Sequence, residues 1–150
     1  MIFRDCFNVL KPIDRGLTVS ENISSKSGKH ILFVDDEAGL ALLGAELLED
    51  YGYSVTSAFD GKAALQRFQQ QEGGFDLVVT DESMPEMNGI ELAQEIYRIS
   101  PSVPIILCSG YMLTMQEEGI EETNIVGVLA KTEVCNHLPE MIEKIFAVEK

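Results

Sequence analysis

No run of apolar residues in this chain approaches the ~20 that a membrane-spanning helix requires. A helical membrane protein is therefore not expected. Cysteine is scarce and odd in number: Cys6, Cys108 and Cys135 show neither a CxxC pair nor metal-finger spacing, which leaves no disulfide framework or zinc site to propose. Free thiols in a reducing compartment are the expectation. The opening MIFRDCFNVLKPIDRG breaks its short apolar stretch with charge and has no small-residue cleavage site, so it does not read as a secretory signal, and a cytoplasmic location follows as the default. Positive charge is the other shortage. Eleven Lys and Arg stand against 25 Asp and Glu, a formal net charge of −14. Residues 1–29 hold five of the basic residues and three of the acidic ones, which leaves six against 22 for residues 30–150. So acidic a surface repels phosphate backbones and anionic lipid, which argues against direct nucleic-acid or membrane contact and favours a cation or a basic protein partner.

What is present is enough for one domain. At 150 residues, with 45% hydrophobic and 24% charged residues, the chain can bury one real core but not two of ordinary size. Residues 1–29 lack clear periodicity and end in ENISSKSGK, a small polar stretch that reads as a linker or flexible tail. From His30 the pattern changes. ILFVDD, YSVTSA, FDLVVTD, VPIILCSG and IVGVLAK are brief runs rich in β-branched residues and predict five strands. Helical patterns lie between them. Ala38 to Asp50 places Leu40, Leu43, Leu47 and Leu48 on one face, Asp60 caps a second helix bearing Ala64, Leu65 and Phe68, and Ile90 to Ile99 forms a third. A fourth is predicted over roughly Thr114 to Glu122, weakened by Gly119, and a fifth from Asn136 with Pro139 in its first turn. Five strands alternating with five helices imply right-handed crossovers and an α/β, doubly wound parallel sheet covered on both faces. Only the last helix is expected after Lys131, with no output domain.

In such a sheet the chemistry collects at the carboxyl ends of the strands. Asp35 and Asp36 end the first strand and Asp81 the third, so three carboxylates should converge there. Clustered carboxylates raise one another's pKa unless a cation neutralises them, and hard oxygen ligands with room for water suit Mg²⁺. The bland alternative is that strand-end aspartates cap the helices that follow. Two more residues sharpen the reading: Ser109 ends the fourth strand and Lys131 the fifth, adding a hydroxyl and a fixed cation to the same rim. A carboxylate nucleophile attacking a phosphoryl group needs its oxygens held by groups of this kind.

The segments ILFVDDE, VVTDESMPEMNGIEL, IILCSGY and VLAK, in this order and at these intervals, resemble the response-regulator receiver domains over residues 30–150. The resemblance implies a flavodoxin-like strand order 2-1-3-4-5, with Asp81 as phosphoacceptor. It implies Mg²⁺ held by Asp36, Asp81 and the Ser83 backbone carbonyl, with Asp35 acting through water. Lys131 would pair with the phosphoryl oxygens and Ser109 would turn toward them. The implied partner is a histidine kinase or phosphotransfer domain, and the function is a phosphorylation-dependent switch that works on itself and turns over no small-molecule substrate. A stand-alone regulator and the terminal receiver of a hybrid sensor kinase both fit, and no oligomeric state is implied. Pro85 would stiffen the loop after the nucleophile and Asn88-Gly89 supply a turn, while Met84, Met87 and Cys108 read as packing residues.

Two departures from the family pattern stand out. Val128 occupies a place where many members have an aromatic residue, so the aromatic switch is absent or displaced, and Tyr111 is either a partial substitute or an ordinary packing residue. Lys131-Thr132 stands where Lys-Pro with a cis bond is usual, so the bond is either cis, at ~3 kcal/mol, or trans. Competing functions fare worse. An aspartate-nucleophile phosphatase needs an acid/base aspartate two residues after the nucleophile, where this chain has Ser83. A flavin or nucleotide site wants a Gly-rich loop after the first strand, and DDEAGL offers carboxylates instead. A docking module that no longer takes phosphate would have no use for the full constellation.

Overall fold

The computed structural model describes residues 28–72, 74–110 and 119–148. Five short strands, β1 (His30–Val34), β2 (Ser54–Ala58), β3 (Leu77–Asp81), β4 (Ile105–Ser109) and β5 (Ile125–Ala130), form one parallel sheet in the order β2-β1-β3-β4-β5. This is the flavodoxin-like order the resemblance implied. Strand alternation divides the core into two layers. Ile31 and Phe33 of β1, Leu77 and Val79 of β3, and Ile106 and Cys108 of β4 point to one face, whereas Leu32 and Val34, Val78, and Ile105 and Leu107 point to the other. With both faces covered, the central strands read as continuous apolar runs, as parallel strands must.

Helices α1 (Ala38–Asp50) and α4 (Val134–Val148) cover the first face, and α2 (Gly61–Gln70) and α3 (Gly89–Ile99) the second. The α1 boundaries are as predicted, and its inner face holds only part of the row of leucines: Leu47 and Leu48 lie deepest with Ala41, Gly44 and Ala45, whereas Leu40 and Leu43 are half-buried. The Phe33 ring explains this. It occupies the place of a side chain on Gly44, with a ring carbon 2.2 Å from where a Cβ would stand, so only glycine fits. The α2 cap is as predicted, Asp60 Oδ1 accepting from the Ala63 amide at 2.7 Å. Asn88 does more than turn the chain. It forms a capping box with Glu91 (2.8 and 3.0 Å) and starts α3 at Gly89, one residue early.

Three expectations about the later helices need correction or fall outside view. Residues 111–118, the body of the expected fourth helix with Tyr111, lie outside the described residues. Its predicted end is not α-helical: Gly119 adopts a left-handed φ of 93°, which an α-helix cannot continue, and Ile120–Glu122 form a 3-10 turn. Four α-helices are thus seen among the described residues, where five were expected. The last helix begins at Val134 rather than Asn136, because a 3-10 turn over Lys131–Glu133 already starts the winding, and Pro139 consequently lies inside the helix, not in its first turn. The Lys131-Thr132 bond is trans, since no cis peptide occurs among the described residues. Cys108 is a free, buried thiol that burial pushes up to about 12, an inert packing residue as read. Of the other cysteines, Cys6 lies outside the described residues.

Candidate metal and phosphoryl site

At the carboxyl edge of the sheet, each functional side chain is fixed by the strand that delivers it. β1 stops at Val34 because Asp35 turns the chain: its backbone N–H still reaches Ala58 O at 3.2 Å, while its Oδ1 accepts from the Glu37 amide at 2.9 Å. Asp81 ends β3 opposite Cys108 of β4, which places Ser109 one residue beyond, and Ser109 in turn lies opposite Ala130, the residue before Lys131. The register therefore delivers all the rim residues within one residue of the same level.

Asp35, Asp36 and Asp81 converge as predicted, with one carboxylate oxygen from each within 4.8 Å of the others. Asp35 and Asp81 are each only 4% exposed, whereas Asp36 faces solvent. Lys131 reaches both buried acids, its Nζ lying 3.2 Å from Asp35 Oδ2 and 3.4 Å from Asp81 Oδ2. One cation for two buried anions is not enough. Burial raises the Asp81 carboxyl to about 6; Lys131 opposes the rise, Asp35 adds to it, and the Ser83 backbone N–H donates to the ionised form. Burial also disfavours the Lys131 ammonium, but Asp35 and Asp81 outweigh it and hold its pKa above the usual lysine value.

The donor set fits a hard divalent cation. Surplus negative charge, oxygen ligands and an open, solvent-facing member at Asp36 are what such an ion requires. Both Asp35 oxygens are already engaged, one by the Glu37 amide and one by Lys131, which leaves that residue suited to holding a metal-bound water rather than the metal. Ser109 is 1% exposed at the end of β4, and Ser83 is exposed in the loop after Asp81. Sequence reasoning missed two supports. Thr80, fully buried, donates its hydroxyl to the Asp81 carbonyl at 3.0 Å, and Gly89 packs so closely that a Cβ would stand 2.3 Å from that same carbonyl. A polar residue inside an apolar strand was the only available signal for Thr80. For Gly89 the turn reading was plausible and hid the packing role.

With that geometry in place, the comparisons agree. The family model of the response regulator receiver domain matches residues 31–143. The chain belongs to the response-regulator receiver family. Among curated proteins, this receiver is 37% identical over 84 residues to the chemotaxis protein CheY of Thermotoga maritima, covering 55% of this chain and 68% of that one. It is 32% identical over 117 residues to the response regulator receiver protein CpdR of Brucella abortus, covering 78% and 96%. Among solved structures it is similar to the response regulator TrrA of Thermotoga maritima in complex with Mg²⁺-BeF, with a TM-score of 0.70 and 31% identity over 77% of this chain and 97% of that one. Against longer relatives it spans much less, 26% of a transcriptional regulatory protein and 12% of a sensor kinase. No helix among the described residues is long and apolar enough to cross a membrane.

Proposed function

We propose that this receiver accepts a phosphoryl group on Asp81 in a Mg²⁺-dependent reaction and signals by the change that follows. The observation that carries the proposal is the placement of Asp81. Its carboxylate is buried beside Asp35 and Asp36 and lies 3.4 Å from the Lys131 ammonium, at the mouth of the sheet. Raised to about 6, it is still ionised at neutral pH and available as a nucleophile.

In this reading an Asp81 oxygen attacks the phosphorus while the bond from phosphorus to the donor breaks, and the donor leaves with its electron pair. Lys131 holds the transferring oxygens, and the Ser109 hydroxyl donates to one of them once they arrive. Asp36, Asp81 and the Ser83 carbonyl would hold Mg²⁺, with Asp35 engaging it through water; the ion supplies charge neutralisation between the carboxylates and the phosphoryl group. Residues 30–150 would form the receiver and residues 1–29 a linker or tail. The donor would be a cytoplasmic histidine kinase or phosphotransfer domain.

Acetyl phosphate with Mg²⁺ tests the assignment. Intact-mass spectrometry should show one added phosphoryl group, acid-stable and base-labile, on the wild type and none on Asp81→Asn. Equal labelling of the two proteins would overturn the assignment of Asp81.

A further inference from the structure

Beyond the residues that face the site, the loop between Asp81 and α3 has an unusual construction. Both of its ends are pinned. The Glu82 amide donates to Cys108 O at 2.7 Å, the Gly89 amide donates to Glu82 O at 2.9 Å, and Gly89 itself lies against the Asp81 carbonyl. Near the tip the chain makes a three-residue turn, Met87 N–H donating to Pro85 O at 2.7 Å around Glu86, which takes a left-handed φ of 69°. That conformation is unfavourable for a non-glycine residue and persists only if the surroundings hold it.

What holds it comes from α2. Gly61 is the first residue of that helix, whose start is fixed by the Asp60 cap. A Cβ on Gly61 would meet Met87 at Cβ (2.8 Å), Cγ (2.9 Å) and carbonyl O (3.0 Å). Gly61 φ is not in the left-handed region, so its backbone gives no reason for glycine there, and the close approach of Met87 does. The exposed Lys62–Glu86 pair, at 3.8 Å, spans the same junction but is too solvated to fix it.

We propose that Gly61 is a positioning residue for the metal loop: by letting α2 seat directly on Met87, it fixes the tip of the loop and thereby the Ser83 carbonyl. With Glu82 and Gly89 anchored, a tip pushed away by a side chain at position 61 can be accommodated only between them, in the stretch that contains Ser83. Gly61 touches neither metal nor phosphoryl group and acts through Met87. This inference rests on the reading of Ser83 as a metal ligand.

The experiment is a double-mutant cycle on metal affinity, read by electron paramagnetic resonance of Mn²⁺, together with hydrogen exchange of the loop in EDTA. Gly61→Ala should weaken Mn²⁺ binding by about tenfold, the usual scale for loss of a group that orients a ligand. It should also speed amide exchange at residues 83, 84, 86 and 87 without metal, while the exchange of β3 and β4 stays unchanged. In a Met87→Gly background, which has its own weakened loop, adding Gly61→Ala should have a much smaller further effect, because the two closest contacts, Met87 Cβ and Cγ, are gone and only the Met87 carbonyl O at 3.0 Å remains. The same loss in both backgrounds, or wild-type Mn²⁺ affinity in Gly61→Ala, would overturn the proposal. If Gly61→Ala does not fold, Met87→Gly alone opens the same contact without a clash and must show the loosened loop and weaker Mn²⁺ binding. Asp36→Asn separates the two ideas: unchanged Mn²⁺ binding in that variant refutes the metal site itself, whereas its loss alongside a normal Gly61→Ala refutes only the positioning role.

Discussion

The two ends of the sheet use aspartate in opposite ways. At the amino end, Asp76 accepts the first amide of β1, His30 N–H, at 2.7 Å, while the His30 ring packs on Phe75 with centroids 4.6 Å apart and its Nε2 lies 2.8 Å from Thr56 Oγ1. That carboxylate has a backbone donor, closes a strand and is structural. At the carboxyl end Asp35 and Asp81 are more deeply buried, face each other and share one lysine. The amino end is built to be stable by itself; the carboxyl end is left with charge that a metal and a phosphoryl group would resolve.

Removing the shared cation should produce the largest effect. Lys131→Met leaves two buried carboxylates uncompensated and should destabilise the metal-free protein by about 2 kcal/mol, less than for a fully buried pair because the lysine is 27% exposed. Millimolar Mg²⁺ should restore part of the loss in a urea titration. A variant as stable as wild type in EDTA would erase the contrast between the two ends.

Exchanging aspartates should then give opposite signs. Asp76→Ala deprives the His30 amide of its acceptor and should cost about 1–2 kcal/mol. Asp81→Asn should instead stabilise the metal-free protein at pH 8 by about 1–2 kcal/mol, since it removes a charge that burial disfavours. The pH dependence fixes the sign. With its folded pKa raised to about 6 from 3.8, Asp81 binds its proton more tightly in the folded than in the unfolded state. Its unfavourable contribution is therefore absent below about pH 4, grows as pH rises and is complete above about pH 6. The Asp81→Asn gain should follow the same course in chemical denaturation at pH 4, 6 and 8. A gain that grows toward acid would show that another group is responsible.

The smallest effect concerns the loop beside the site. Glu86→Gly relieves the left-handed backbone and should add about 1 kcal/mol, with only the solvated Lys62 pair lost in exchange. Differential scanning calorimetry would register this as a modest rise in Tm. A fall would mean that the side chain contributes more to the turn than its exposure suggests.

Much of this was legible in the chain, for local reasons. The five strands announce themselves as β-branched runs, Asp60 is a cap readable from its neighbours, and Asp35, Asp36, Asp81, Ser109 and Lys131 stand at strand ends that a parallel sheet gathers on one edge. The misreadings arose where distant packing or backbone geometry overrode local pattern. In α1 Leu40 and Leu43 are only half-buried because Gly44, not a leucine, faces the Phe33 ring, and the expected helix through Gly119 met a left-handed φ. Two residues were added to the front of α4 by the turn at Lys131.

The sequence by itself determined the kind of chemistry, because residue types and their order along the chain set which groups reach the carboxyl edge. Only the tertiary structure decided how those groups divide the work. That Lys131 bridges both buried acids, that Asp35 has both oxygens engaged while Asp36 stays open, and that Gly61 and Gly89 clamp the loop between them depend on distances between segments far apart in the chain. Burial and Coulomb energies follow those distances rather than sequence separation, so they exist only once the sheet has closed.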